Sequence, residues 1–467
     1  MRPVLPSRAV FLKRDAPVRP AGRTRGALPV TRRAVAYQGP DTCQHPRRAA
    51  EPKDSCCTDG GVHTFQGCLL GKAEKRYCSR RESWIDMIAR REPCDVSISN
   101  FGSLGGKSMA TSNAASSRKP ARPPKIIQVH FATNRNETGD KNHPFGSDFR
   151  NAPDGSLYVT GTINVYRRSG SRRPNWEPHL DSLVLNPPTA AASSIPQAVA
   201  AAPSTSDAMT AFIADRGAPK GKLVFLPGFA HSFCSAMSNS AQIASTYGAK
   251  VFCFSWPSQG KFGLEYFIDQ ISAFRSGPAI AHYLSRLFSK LLNMAKTPNV
   301  NIVCHSMGNR ALSAAIQIIS VSAPELLSTN YFDSALLMAA DEDDDALDKR
   351  EKLKRLLTLA TNIDVYTNEK DFAMLLSLFA NKGQSPLGWF GPARFGKLPK
   401  KVISIDCTEV GDTYENDGST NWGHQYFRNS GPVTGDAHQV LLGIAADKVV
   451  PRNPVRPFPK KKFKIPA

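Results

Sequence analysis

No stretch of the 467-residue chain holds the roughly 18 consecutive apolar residues that a membrane-spanning helix needs. The N-terminus has arginines but no apolar core segment, which argues against a secretory signal peptide. Pro3, Pro6, Pro17 and Pro20 deny this Arg-rich, acid-poor start the amphipathic helix of a transit peptide. These absences point to a cytoplasmic protein. None of the ten cysteines forms a C-x-x-C pair, so the usual zinc-ligand spacing is missing. Six of them, Cys43, Cys56, Cys57, Cys68, Cys78 and Cys94, fall in the first hundred residues. The others, Cys234, Cys253, Cys304 and Cys407, have the apolar neighbours of isolated core thiols, and nothing in the pattern requires an oxidising compartment. No internal repeat is visible.

The body of the chain also has little net charge, although the whole chain carries +21. Residues 1–120 hold 22 Lys/Arg against 10 Asp/Glu, and residues 447–467 hold seven against one, which leaves +3 on 121–446. The excess sits on the ends. A run such as Lys460-Lys461-Lys462-Phe463-Lys464 reads as a solvated tail, able at most to touch an anionic surface weakly, and no specific nucleic-acid partner is expected.

Three regions follow. Residues 1–120 mix Arg, Pro, Gly, Ser and Cys without a sustained period and are expected to form a disordered basic extension. The segment before Met109 reads equally as an upstream piece outside the working protein, because Met109-Ala110-Thr111-Ser112 resembles an ordinary soluble N-terminus. Residues 121–446 form the candidate folded domain, with an Ala/Ser/Pro-rich loop at 187–206, and 447–467 form the basic tail. Strands are predicted at 125–132 and 157–166. From Lys222 strand and helix patterns alternate, with strands at 223–227, 249–254, 300–304, 333–339, 362–367 and 401–406. The predicted helices are 233–247, 277–295, 307–321, 345–359, 371–381 and 436–446. Short, nearly continuous apolar runs such as Leu223-Val224-Phe225-Leu226 suit strands covered on both faces. The class is therefore α/β, with a central, mostly parallel sheet flanked by helices.

The most informative string is Val300-Asn301-Ile302-Val303-Cys304-His305-Ser306-Met307-Gly308-Asn309-Arg310. A buried strand runs into His-Ser-Met-Gly, and Ala311, Leu312, Ala315, Ile316 and Ile319 follow at helical spacing. This is the strand–nucleophile–helix turn of the α/β-hydrolase fold, with the serine hydroxyl presented above the sheet. Ser306 is thus the candidate nucleophile. Gly308 meets the need for a small residue beside the turn, and Cys304 stands where G-x-S-x-G has its first glycine. The strand ending Leu226-Pro227-Gly228-Phe229 is placed to give the second half of an oxyanion hole. The backbone N–H of Phe229, or of Ala230, would join that of Met307.

A serine nucleophile needs a base and the base an orienting acid, in the chain order Ser, Asp/Glu, His. Only His424 and His438 follow Ser306. His424 lies in a loop between the last strand and the last helix, the position of the base, whereas His438 lies inside a helix pattern. Asp371 follows the strand at 362–367 and is the first candidate for the acid, with Glu369 and Asp341 as rivals. The run Asp341-Glu342-Asp343-Asp344-Asp345 reads as the acidic first turn of a helix rather than a cation site.

Together several strings resemble a known group. These are Gly228-Phe229, Phe254-Ser255-Trp256-Pro257-Ser258, Tyr266 with Asp269, His305-Ser306-Met307-Gly308-Asn309-Arg310, Asn368-Glu369-Lys370-Asp371-Phe372-Ala373 and Gly423-His424. They resemble a mainly bacterial α/β-hydrolase family, lipase- or esterase-like and catalogued as a domain of unknown function. Val129-His130-Phe131-Ala132-Thr133-Asn134-Arg135 is similar to that family's N-terminal strand. The resemblance covers roughly 125–445 and departs at Pro227, for the usual histidine, and at Cys304, for the usual glycine. It implies a triad of Ser306, Asp371 and His424 and supplies no substrate. The expected activity is cleavage of a small-molecule or lipid ester through an acyl-enzyme, with no metal or organic cofactor. Two rivals stand beside it: the same fold kept as a binding protein without catalysis, and a nucleic-acid or membrane-surface binder acting through the basic ends.

Overall fold

The computed structural model describes residues 125–153, 155–168, 175–186, 208–215, 221–261, 263–294, 299–410 and 423–467. The expected basic extension at 1–120 and the loop at 187–206 lie outside the described residues.

The strands are β1 (Ile126–Thr133), β2 (Arg135–Glu137), β3 (Phe145–Phe149), β4 (Val159–Arg167), β5 (Trp176–Leu185), β6 (Lys222–Leu226) and β7 (Lys250–Ser255), followed by β8 (Val300–His305), β9 (Phe332–Met338), β10 (Ala360–Thr367), β11 (Val402–Asp406), β12 (Asn453–Pro454) and β13 (Lys462–Lys464). Among the described residues eleven of them make one sheet in the order β12-β13-β11-β10-β9-β8-β6-β7-β1-β4-β5, and β2 and β3 pair separately. From β13 to β1 every neighbouring pair is parallel, while the pairings β1–β4 and β4–β5 at one edge and β12–β13 at the other are antiparallel. The mostly parallel sheet read from the alternation of strands and helices is thus present.

The main helices are α1 (Ala208–Ala214), α2 (Phe233–Tyr247), α3 (Glu265–Arg275), α4 (Gly277–Leu292), α5 (Gly308–Ser322), α6 (Phe372–Ala380) and α7 (Gly431–Leu441). Local chemistry sets their ends. Ser232 caps α2 by accepting the Ser235 N–H, and Gly248, in the left-handed region at φ 69°, closes it with an N–H bond to Ala244 O. Alternate residues of each inner strand feed the two faces of the sheet. Val224, Leu226, Ile302 and Cys304 pack with α1, α4 and α5 on one side, and Leu223, Phe225 and Val303 pack with α2 and α7 on the other.

Two expectations need correction. Residues 345–359 are mostly turns, with only Leu356–Leu359 in α-helix. The acidic side chains there serve tertiary cations instead of a helix N-terminus: Lys352 pairs with Asp343, and Arg310 reaches Asp341. Residues 447–467 are not a solvated tail. β13 pairs in parallel with β11, Phe463 and Ile465 are buried, and Arg452 makes a bidentate bond to Asp436 (2.7 and 2.8 Å). The lysines around Phe463 obscure that strand because Phe463 is its one apolar residue, with Ile465 following just beyond it.

β6 lies between β7 and β8, so the chain leaves it in one direction and returns on its far side. The carboxyl ends of β6 and β8 at such a reversal are the place where open α/β sheets hold their ligands.

Candidate active site

Ser306 follows β8 directly and has φ 50°, the strained left-handed conformation of a serine at the tip of a strand–helix turn. The strain is held from all sides. Ser306 N donates to Met338 O (2.9 Å), and Ser306 O accepts from Asp341 N (3.1 Å) and from Asn309 Nδ2 (2.9 Å). A Cβ on Gly308 would collide with the Leu226 carbonyl oxygen, which is why helix α5 needs glycine where it crosses β6. Cys304, in the place of the usual glycine, is buried in the core, and burial pushes its thiol well up. A small side chain fits there without disturbing the turn.

Gly228 brings the end of β6 against the serine. A Cβ on it would lie 2.8 Å from Ser306 Cβ and 2.9 Å from His305 Nδ1. Pro227, in the place of the usual histidine, contributes its carbonyl oxygen, which accepts Trp256 Nε1 (2.8 Å). The Trp of Ser-Trp-Pro-Ser therefore ties β7 to the loop after β6. Of the two candidate loop amides, that of Ala230 is taken by Asp269 Oδ2 (3.1 Å).

Among the acids, Asp371 is the one that meets His424, its Oδ2 standing 2.7 Å from Nδ1. Both are buried. Asp371 also caps α6 by accepting the Ala373 N–H (3.0 Å). Burial pushes its carboxyl up, while His424 and the first amides of α6 pull it back down. Glu369 is exposed. Asp341 is fully engaged elsewhere, its Oδ1 accepting Arg310 Nε, Arg310 NH2 and Ser377 Oγ and its Oδ2 accepting Tyr266 OH. Among the described residues no group of three or more His, Cys, Asp and Glu side chains is placed to hold a metal ion.

The loop carrying His424 is strapped down. Gly423 has φ 68°, and a Cβ there would lie 3.0 Å from Lys370 O, so both conformation and space call for glycine. Asn368 Nδ2 donates to Gly423 O (2.8 Å). The His305 ring lies 4.7 Å from that of His424, stacks on Phe427 at 4.0 Å and meets His424 O through Nε2 (3.2 Å). Desolvation lowers its pKa strongly, so it stays neutral beneath the loop. His438 is held away in α7, its Nδ1 on Tyr247 O (2.8 Å). Ser306 Oγ and His424 Nε2 are among the buried side-chain atoms that have no hydrogen-bond partner among the described residues.

Sequence reasoning assigned no role to Arg135, and the resemblance named Asp269 without one. The Arg135 guanidinium is buried and donates to Ser255 Oγ (3.0 Å), Gly146 O (2.9 Å), Ser258 O (3.1 Å) and His231 O (2.6 Å). The sequence signal for Arg135 was its place at the end of the string that resembles the family's N-terminal strand.

No helix among the described residues is long and apolar enough to cross a membrane. No curated protein matches the chain. Among solved structures it is similar to lipase B of Aspergillus fumigatus, at 15% identity and a TM-score of 0.18. That likeness covers 29% of each chain. The sequence also matches the family described as "alpha/beta hydrolase of unknown function (DUF900)" over residues 204–443. Because that match takes in more than half of the chain, the protein belongs to this α/β-hydrolase family.

Proposed function

We propose that the protein is a serine hydrolase that cleaves an ester-like bond, in a small molecule or a lipid, through an acyl-enzyme. One observation carries this reading. A serine hydroxyl on a strained turn and an imidazole nitrogen are both buried without partners, beside a carboxylate bound to the other nitrogen of the same ring. Leaving a buried polar group unsatisfied costs about 1–3 kcal/mol, and strain in such a backbone costs a similar amount. Buried atoms without partners also occur elsewhere in the described structure, so the weight rests on their coincidence here with the strained turn and the Asp371–His424 bond.

In the proposed reaction Asp371 holds the His424 tautomer that carries its proton on Nδ1, so Nε2 is free to take the proton of Ser306 Oγ. Oγ attacks the ester carbonyl carbon, and the oxygen that becomes negative is held by the Met307 N–H at the start of α5 and the Phe229 N–H after β6. The carbon–oxygen bond to the alcohol breaks as His424 returns its proton to the leaving oxygen. Water, deprotonated by the same nitrogen, then releases the acid and restores the serine.

The test is Ser306→Ala. Turnover of activated short-chain esters and labelling by a fluorophosphonate should both disappear while the fold is kept. Unchanged turnover in that variant would overturn the reading.

A further inference from the structure

We infer that Asp269, a residue that touches neither the nucleophile nor the base, is the positioning residue that shapes the oxyanion loop. The inference rests on the hydrolase reading above. Asp269 sits on the inner face of α3 and is wholly buried. Its Oδ2 accepts Ser258 Oγ (2.5 Å) and the Ala230 N–H (3.1 Å), and its Oδ1 accepts the Gln259 N–H (2.8 Å). One carboxylate therefore joins the Ser-Trp-Pro-Ser segment after β7 to the loop after β6.

That loop holds a costly conformation. Ala230 has φ 58°, in the left-handed region where an alanine pays for its Cβ. The bond to Asp269 turns the Ala230 N–H toward α3 and fixes the kink one residue after Phe229. The next residue is fixed as well, since His231 N donates to Ser258 Oγ (3.1 Å) and His231 O accepts Arg135 NH2 (2.6 Å). Both clamps meet at Ser258, whose carbonyl oxygen also accepts Arg135 NH1 (3.1 Å). Burial pushes the Asp269 carboxyl up, while its three donors and the Arg135 charge favour the ionised form. The result is a loop with no freedom to follow the substrate. Such rigidity is what a pair of amide donors requires if it is to favour the tetrahedral oxyanion over the planar ester.

The experiment compares an ester with its thionoester, which differs only by sulfur in place of the carbonyl oxygen. Sulfur is larger and a poorer acceptor, so amides set for oxygen distinguish the two. In Asp269→Asn one of the three donors faces an amide NH2 instead of an acceptor. Ester kcat should fall about 10²-fold, the size of a lost oxyanion donor, with KM changed less than about twofold. Thionoester turnover should fall much less, so the ester-to-thionoester ratio should narrow about tenfold or more. Ser258→Ala, which removes the shortest bond to the same carboxylate, should narrow it in the same direction by less, and it carries the test alone if Asp269→Asn does not fold. Folded variants that keep full activity, or lose both substrates in equal proportion, would overturn the role of Asp269. Wild-type protein without ester turnover, or Ser306→Ala with undiminished turnover, would instead overturn the hydrolase reading beneath it.

Discussion

Gly228→Ala adds a single methyl group where the geometry leaves no room for one. The new Cβ would lie 2.8 Å from Ser306 Cβ, 2.9 Å from His305 Nδ1 and 3.3 Å from His305 O. Ordinary carbon contacts need about 3.5–4.0 Å, so something must move by roughly 0.7–1.2 Å. The usual relief is closed on each side. Ser306 is fixed through its N–H to Met338 O and its carbonyl to Asp341 N, and the His305 ring is stacked on Phe427. Overpacking of this kind costs about 1–3 kcal/mol, a loss that a folded domain can survive. The effect on rate should be larger in proportion, since displacing a reacting group by about 1 Å costs on the order of 10²-fold. The assay pairs urea unfolding with the second-order rate of fluorophosphonate labelling at Ser306. Near-normal stability with labelling slowed about 100-fold is the expected result. Labelling at the wild-type rate in a folded Gly228→Ala variant would refute the packing argument.

Asp371→Asn should lower ester kcat by roughly 10²–10⁴, while Glu369→Gln leaves it unchanged; a dead Glu369→Gln beside an active Asp371→Asn would move the acid to Glu369. His130 and His231 are buried with pKa values lowered by desolvation to about 4. The unfolded chain therefore binds protons that the folded one does not between about pH 4 and 6.5. Their contribution to stability is complete above the unfolded pKa and is lost as pH falls through that window, by up to about 3 kcal/mol each. His130→Phe, which also removes the unpartnered Nδ1 beside Phe212 and Phe252, should flatten the pH dependence of urea unfolding without loss at pH 7. Phe463→Ala should cost about 3–5 kcal/mol in the same assay, whereas a solvated tail would lose nothing.

The parts of this fold that are legible in the sequence are those whose information is local. β6 through β11 announce themselves as short apolar runs between helices, and α2 is bounded by a serine cap and a closing glycine that can be read directly. The elbow is legible for the same reason, since strand, serine, glycine and helix are consecutive. β13 is not, because Lys462 and Lys464 flank its one core phenylalanine and only pairing with β11 makes the segment a strand. Asp341 illustrates the opposite limit. Its sequence context admits a triad acid or a helix start, and only Arg310, Tyr266 and Ser377, from three other elements, decide that it is an ion-pair hub. The clamp of Arg135 and Asp269 joins residues more than a hundred positions apart, and no spacing rule reaches that far.

The span that matches the family, 204–443, contains β6 through β11 and leaves out the strands that lie beyond them in the sheet. Cut out at those limits, the sheet would end on β7 at one side and β11 at the other, each stripped of its neighbour β1 or β13. Those bare borders would be dominated by Val251-Phe252-Cys253-Phe254 and Val402-Ile403-Ser404-Ile405, short runs rich in β-formers with a charge only at Lys250 and Asp406. Unpaired amides on such strands recruit other chains. The residues on either side of the family core therefore act as insulation, and a fragment trimmed to that core, which also loses Val129, Phe131 and Phe463 from the interior, should precipitate through strand-to-strand stacking.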